Sequence, residues 1–138
     1  MRKKSLCILA LVCLLLLAGC SGKPLPEGME EDTLLEKGRE IVQQLNESQW
    51  QDVYDAMRAD GQETTSPADI QSYMEALLAE AGAYQKETDQ MTTGQKLKDS
   101  GEEYATAVFY VKHEKDDMLY RIAFSTELEL IGFQVSVR

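Results

Sequence analysis

His113 is the single histidine of the chain and lies in the run Lys112-His113-Glu114-Lys115-Asp116-Asp117. An imidazole beside carboxylates is the pairing that general-base chemistry uses. Nothing near it in the sequence resembles an activated nucleophile, so His113 reads as a solvated residue at a strand end. Asp116 and Asp117 could offer oxygen ligands to calcium, but they lack the spacing of an EF-hand loop and read as a polar hairpin turn. Trp50, Tyr54, Tyr73, Tyr110, Tyr120 and Phe124 are the candidate ligand cavity, an aromatic lining whose tyrosine hydroxyls would orient a bound molecule. The same side chains suit the packing of helix stripes on a sheet. Gly94 and Gly101 are isolated and form no phosphate-cradling loop. No catalytic residue, metal ligand set or cofactor motif is expected.

The three cysteines fall in one short region. Arg2, Lys3 and Lys4 precede 13 consecutive apolar residues, Leu6 to Ala18, and the chain turns polar at Ser21. That run is shorter than the roughly 20 residues that cross a bilayer, and its charge, length and small-residue end fit a secretory signal peptide. Leu17-Ala18-Gly19-Cys20 resembles the lipobox of bacterial lipoproteins. The resemblance implies cleavage between Gly19 and Cys20 and a diacylglyceryl group on the Cys20 thiol. Cys7 and Cys13 would leave with the leader, and the working domain would then hold no free thiol. Disulfide, cysteine-metal and cysteine-nucleophile chemistry are thereby set aside, and one histidine is too little for zinc.

Losing the leader changes the electrostatics. The whole chain carries a net charge of −10, and without the three leader cations it carries −13. Such a body is a poor partner for nucleic acid, where binding comes largely from Lys and Arg on phosphates. The acidic excess serves solubility and keeps the body off anionic headgroups.

The elements that must position these side chains follow from periodicity. Residues 1–19 are the signal peptide, 20–32 a lipidated N-terminus and flexible tether, and 33–138 one folded domain. Thr33 and Glu36 have capping-box spacing and open a first helix, whose stripe is Leu34, Leu35, Gly38, Ile41, Val42 and Leu45. Ser48 opens a second helix with Trp50, Val53, Tyr54 and Met57 on one face, stopped at Asp60-Gly61. Ser66, Pro67 and Asp69 start a third, which Gly82 ends. The period then changes to two. Tyr84 to about Thr93 is a weak edge strand, and Glu103 to His113 is a central strand with apolar residues on both faces. Met118 to Ser125 and Leu130 to Val137 complete a hairpin. The predicted fold class is α+β, with three N-terminal helices packed on a curved four-stranded antiparallel sheet.

Gly38 to Asn46 leading into Trp50-Gln51-Asp52-Val53-Tyr54, Ser66 to Gly82 followed by Tyr84, and Tyr120 to Phe124 followed by Leu130-Ile131-Gly132-Phe133 carry a resemblance. In order and spacing they are similar to the bacterial family called domain of unknown function 3887, within the cystatin-like or nuclear-transport-factor-2-like superfamily. The final turn, Ser125 to Glu129, departs from it by lacking the usual Asp and Gly. The resemblance implies a cone with a cavity between helices and sheet, and no established reaction. Such domains stand alone on lipoproteins of low-GC Gram-positive bacteria or precede α/β-hydrolases. No Gly-x-Ser-x-Gly elbow is present, so a hydrolase half is not expected. The expected protein is a non-catalytic binding or interaction module on the extracytoplasmic face of a Gram-positive cell membrane, held by its lipid. Its partner would be a small molecule, a peptide or an envelope protein, with the sheet available for dimerisation. The alternative is an enzyme using a polar group in the cavity.

Overall fold

Gly38 sets the spacing between the first helix and the sheet. It lies on α1 (Glu31–Asn46), whose buried residues are Leu34, Leu35, Gly38, Ile41, Val42 and Leu45, the stripe expected from the sequence. A Cβ at Gly38 would lie 2.6 Å from the Phe109 ring and 3.0 Å from Ala107. Glycine therefore allows the helix to settle directly onto the centre of the sheet. A computed structural model describes residues 22–138, so the leader and Cys20 lie outside the described residues. Among those described, no helix is long and apolar enough to cross a membrane.

The helical layer differs from expectation in three places. First, α1 starts at Glu31 rather than Thr33. Glu30 is its cap residue without a side-chain bond, and Glu31 and Asp32 in the first turn complement the helix dipole. Second, Ser48 does not cap the next helix. It takes a left-handed conformation (φ 61°) in the turn that reverses the chain, and α2 (Trp50–Ala56) follows from Gln49. Third, α2 stops before Met57 instead of running to Asp60-Gly61. Met57 is extended and bridges Leu130 in parallel, and the Arg58 N–H donates to the Leu130 carbonyl at 2.7 Å. Satisfying that distant carbonyl ends the helix, and Ala59–Gln62 form a separate one-turn helix, α3. There are thus four helices among the described residues, not three. The Arg58 guanidinium braces the break, reaching Asp60 at 2.9 Å and Glu102 at 2.6 Å.

The last helix, α4 (Pro67–Ala81), matches its start and stop signals. The Ser66 hydroxyl accepts from the Asp69 N–H at 3.1 Å, Pro67 opens the first turn, and Gly82 leaves the helix at φ 82°. Removing this cap with Ser66→Ala is expected to cost about 1 kcal/mol. The midpoint of urea unfolding would fall with an unchanged slope, and an unmoved midpoint would deny the cap its role.

Four antiparallel strands follow in the order β1 (Tyr84–Lys96), β2 (Glu103–His113), β3 (Asp117–Ser125) and β4 (Leu130–Val137), as an open sheet. β1 extends beyond Thr93, pairing through Gly94, Gln95 and Lys96 with Ala105, Tyr104 and Glu103. Ala105, Ala107, Phe109 and Val111 of β2, with Met118, Tyr120, Ile122 and Phe124 of β3, face the helices and are buried. The turn without the usual Asp and Gly is built around Ser125. Its hydroxyl accepts from the Glu127 and Glu129 N–H groups, both at 3.2 Å, while Leu128 adopts φ 64°.

Residues 22–30, expected as a flexible tether, instead cross the edge of β1 at Lys23 and pack their apolar side chains on the core. The Lys23 N–H donates to the Thr93 hydroxyl at 3.3 Å, and the Gly94 N–H donates to the Lys23 carbonyl at 3.1 Å. Pro26 is buried, and Leu25 and Met29 pack against the core. No periodic pattern announces this segment, because its partners lie some seventy residues away.

Candidate functional site

Two places gather polar side chains. The first is the sheet face away from the helices. Successive residues of a strand point to opposite sides, and the register aligns Thr93, Thr106, Ala123 and Gly132 in one row across all four strands. These small residues make a low floor. The next row is Met91, Val108, Arg121 and Gln134, and on the other side stand Gln95 and Tyr104. The result is a trough of about 500 Å³, with Tyr110 at one end.

Its chemistry is one-sided. The Thr106 hydroxyl donates to Gln95 Oε1 at 2.7 Å, which leaves the Gln95 amide N–H groups free to turn outward. Arg121 is exposed and makes no ion pair among the described residues, unlike Arg39 and Arg58. No Asp or Glu lines the trough, although the chain has 24 of them. Hydrogen-bond donors around one guanidinium, with no competing carboxylate, suit an anionic group.

The second place is inside. His113 is 2% exposed, which corrects its reading as a solvated strand-end residue. Its Nδ1 lies 2.8 Å from the Gly82 carbonyl oxygen and its Nε2 2.9 Å from the Tyr120 hydroxyl. A carbonyl only accepts, so Nδ1 carries the proton. In the neutral ring Nε2 then accepts the Tyr120 O–H. Asn46 Nδ2 donates to the Tyr120 oxygen at 3.1 Å and to the Val42 carbonyl at 2.8 Å. Both ring nitrogens of His113 and the Tyr120 hydroxyl thus find partners within this chain. Burial pushes the Tyr120 phenol up to about 12, partly opposed by its bond to Asn46. A groove of about 570 Å³ between α1 and the start of β1 reaches Asn46 and Tyr84, and Tyr84 stacks edge-on against His113. The chain ties α1, the end of α4, β2 and β3 together.

The six aromatic residues predicted to share a cavity are not brought together. Tyr120 and Phe124 are core residues at 0% and 2% exposure. Trp50 and Tyr54 of α2 pack half-buried against that core. Tyr73 is exposed on α4, and its hydroxyl donates to the Val135 carbonyl at 2.8 Å and accepts from the Val135 N–H at 3.0 Å. Tyr110 alone lines the trough, with the Arg138 guanidinium 5.2 Å from its ring centroid. The space between helices and sheet is filled by side chains. Thr93, Gln95, Thr106, Arg121 and Gln134 were not foreseen as site residues. The alternation of β2 sets Tyr104, Val108 and Tyr110 on one face, but that this face is open, and that small residues align on it, requires the packing and the register. Among the described residues, no three His, Cys, Asp or Glu side chains converge as a metal site.

Residues 38–133 match the family described as "Protein of unknown function (DUF3887)". The chain is also similar to a solved structure, the NMR structure of a protein from Ruminococcus gnavus ATCC 29149, with TM-score 0.68 and 22% identity. The alignment covers 81% of this chain and 96% of that one, and at this identity the likeness is one of fold. No curated protein matches the chain.

Proposed function

The chain belongs to the DUF3887 family, and from that premise we propose that it is a lipoprotein binding module anchored on the extracytoplasmic face of a bacterial membrane. The observation that carries the binding role is the trough, with its donors, its unpaired Arg121 and no carboxylate. Its ligand is a small molecule or peptide segment bearing a carboxylate or phosphate. The basic leader, the 13-residue apolar run and the lipobox-like Leu17-Ala18-Gly19-Cys20 support the anchor. Helices laid on one face of an antiparallel sheet agree with the nuclear-transport-factor-2-like superfamily, although here the interior is packed and the ligand face is the open one.

Two measurements test this function. Cys20→Ala is expected to leave an unprocessed or released protein, and unchanged membrane fractionation with unchanged mass would refute the anchor. For the trough, acidic tripeptides and inorganic phosphate serve as probes in a titration followed by amide chemical shifts. Arg121→Ala is expected to weaken the bound probe roughly tenfold or more, because a hydrogen bond to a charged group is worth about 1.5–3 kcal/mol. Probes that leave Arg121 and its neighbours unmoved would refute an anion site.

The enzyme reading has one observation in its favour, the buried His113–Tyr120–Asn46 chain beside the groove of α1. Both ring nitrogens are engaged internally, so the imidazole has no free nitrogen to offer a substrate, and binding is the better supported role.

A further inference from the structure

The segment at the start of the described residues wraps around the free edge of β1. Gly22 sits on the open-face side: a Cβ there would lie 3.2 Å from Met91 Cε and 3.2 Å from Thr93 Cβ. Met91 and Thr93 both line the trough. At Lys23 the chain passes the edge, held by its two hydrogen bonds to Thr93 and Gly94. At Pro24 it has crossed to the helix side. A side chain on Gly94 would run into the Pro24 carbonyl there. Gly94 pairs with Ala105, which faces the core, and Leu25 continues into that core. Gly94 is thus the saddle over which the strap passes, and Pro26 and Met29 fasten its far side.

Between this fixed backbone and Cys20 stands Ser21 alone. Two residue steps span at most about 7 Å. We infer that the strap over Gly94 is a rigid mount, which holds the Met91–Gln95 rim of the trough against the surface of the phospholipid membrane. This inference rests on the proposal that Cys20 carries the lipid. A twelve-residue flexible leash would let the acidic body drift off a surface that repels it. A mount fixed at Gly22 keeps one end of β1 at the headgroups. The far end of β1, at Tyr84, lies beside the β2–β3 turn, about 30 Å along the strand. The trough would therefore open next to the membrane and meet ligands borne by it or confined near it.

The experiment uses the processed, lipid-bearing protein in vesicles of phosphatidylethanolamine and phosphatidylglycerol that carry a headgroup nitroxide. Without Cys7 and Cys13, Lys96→Cys and Lys115→Cys each give one labelling site, near the mount and at the far turn. A fluorophore at position 96 is expected to be quenched several-fold more than one at 115. Inserting about ten Gly/Ser residues between Ser21 and Gly22 restores a leash and leaves the fold untouched, and the contrast is expected to vanish. Gly94→Val, which evicts the strap, is expected to reduce it in the same direction. Equal quenching of both sites in the membrane-bound protein would overturn the mount while leaving the anchor standing. A contrast that survives the insertion would also overturn it, because surface adhesion and not the strap would then set the orientation. Protein that stays off the vesicles with an unmodified mass would overturn the anchor itself, and the mount with it.

Discussion

Gly38→Leu is expected to be the most damaging single substitution in the helical layer, at roughly 3 kcal/mol or more. Leucine is a far better helix former than glycine, by close to 1 kcal/mol, so propensity alone predicts the opposite sign. Packing decides against it. The first added carbon already meets Phe109 at 2.6 Å and Ala107 at 3.0 Å, and Phe109 is fully buried. Overpacking a filled core typically costs 1–3 kcal/mol, and here the intruder is a whole side chain. Gly38→Ala should fall between, with a net loss of about 1 kcal/mol. Chemical denaturation of Gly38→Leu, Phe109→Leu and the double variant makes the mechanism explicit. If the clash is with the ring, the double variant loses less than the sum of the two singles. A stabilised Gly38→Ala would show that α1 can lift from the sheet without penalty.

Tyr120→Phe is expected to cost about 1–3 kcal/mol while leaving the ring volume in place. Its hydroxyl lies between His113 Nε2 and Asn46 Nδ2, and its loss leaves the buried His113 acceptor unmet, while the half-buried Asn46 keeps its bond to the Val42 carbonyl. One unmet buried group costs about 1–3 kcal/mol. The same hydroxyl gives the protein an alkaline limit. Burial holds the phenol at about 12 in the folded chain, against an ordinary value of 10.0. The unfolded chain therefore loses this proton first. The contribution is whole below pH 10 and erodes as pH rises from 10 to 12, by about 3 kcal/mol in total. Stability against pH should fall more steeply over that interval in the parent than in Tyr120→Phe. Parallel curves would mean that the phenol is not protected by the fold.

Much of the fold is legible locally. Ser66, Pro67, Asp69 and Gly82 bracket α4 because each acts within one helical turn of its own position. The alternation of β2 sets Ala105, Ala107, Phe109 and Val111 on one face because a strand's period is independent of its partners, but both faces read as apolar and only the fold shows that this one is covered. The failures are non-local. Met57 fits the helical stripe of Trp50, Val53 and Tyr54 by spacing, yet a carbonyl on β4 claims the adjoining backbone. His113 ends a strand next to charged residues, and it is buried by the chain leaving α4 at Gly82 and by the Tyr84 and Tyr120 rings. Residue type alone groups the aromatics, but helix faces, core and open face all use them. The trough depends on Thr106, Ala123 and Gly132 falling level, which a bulge or a one-residue slip would abolish. Short-range patterns therefore reveal the layers, and cross-strand alignment decides where a ligand could sit.

The strap and the break at Met57 have one more effect in common, on how the molecule behaves in a crowd of its own kind. An open antiparallel sheet ends in two strands, β1 and β4, whose unpaired backbone groups invite a strand from another copy. On β1 the Gly94 N–H is already spoken for by Lys23, and two irregularities between Tyr84 and Asp89 interrupt the rest of the ladder. On β4 the Leu130 carbonyl is taken by Arg58 at the strand's first residue. Pieces of irregular chain thus act as stoppers at both margins. Each takes up a backbone group to which a neighbouring copy could otherwise add a strand and begin to polymerise.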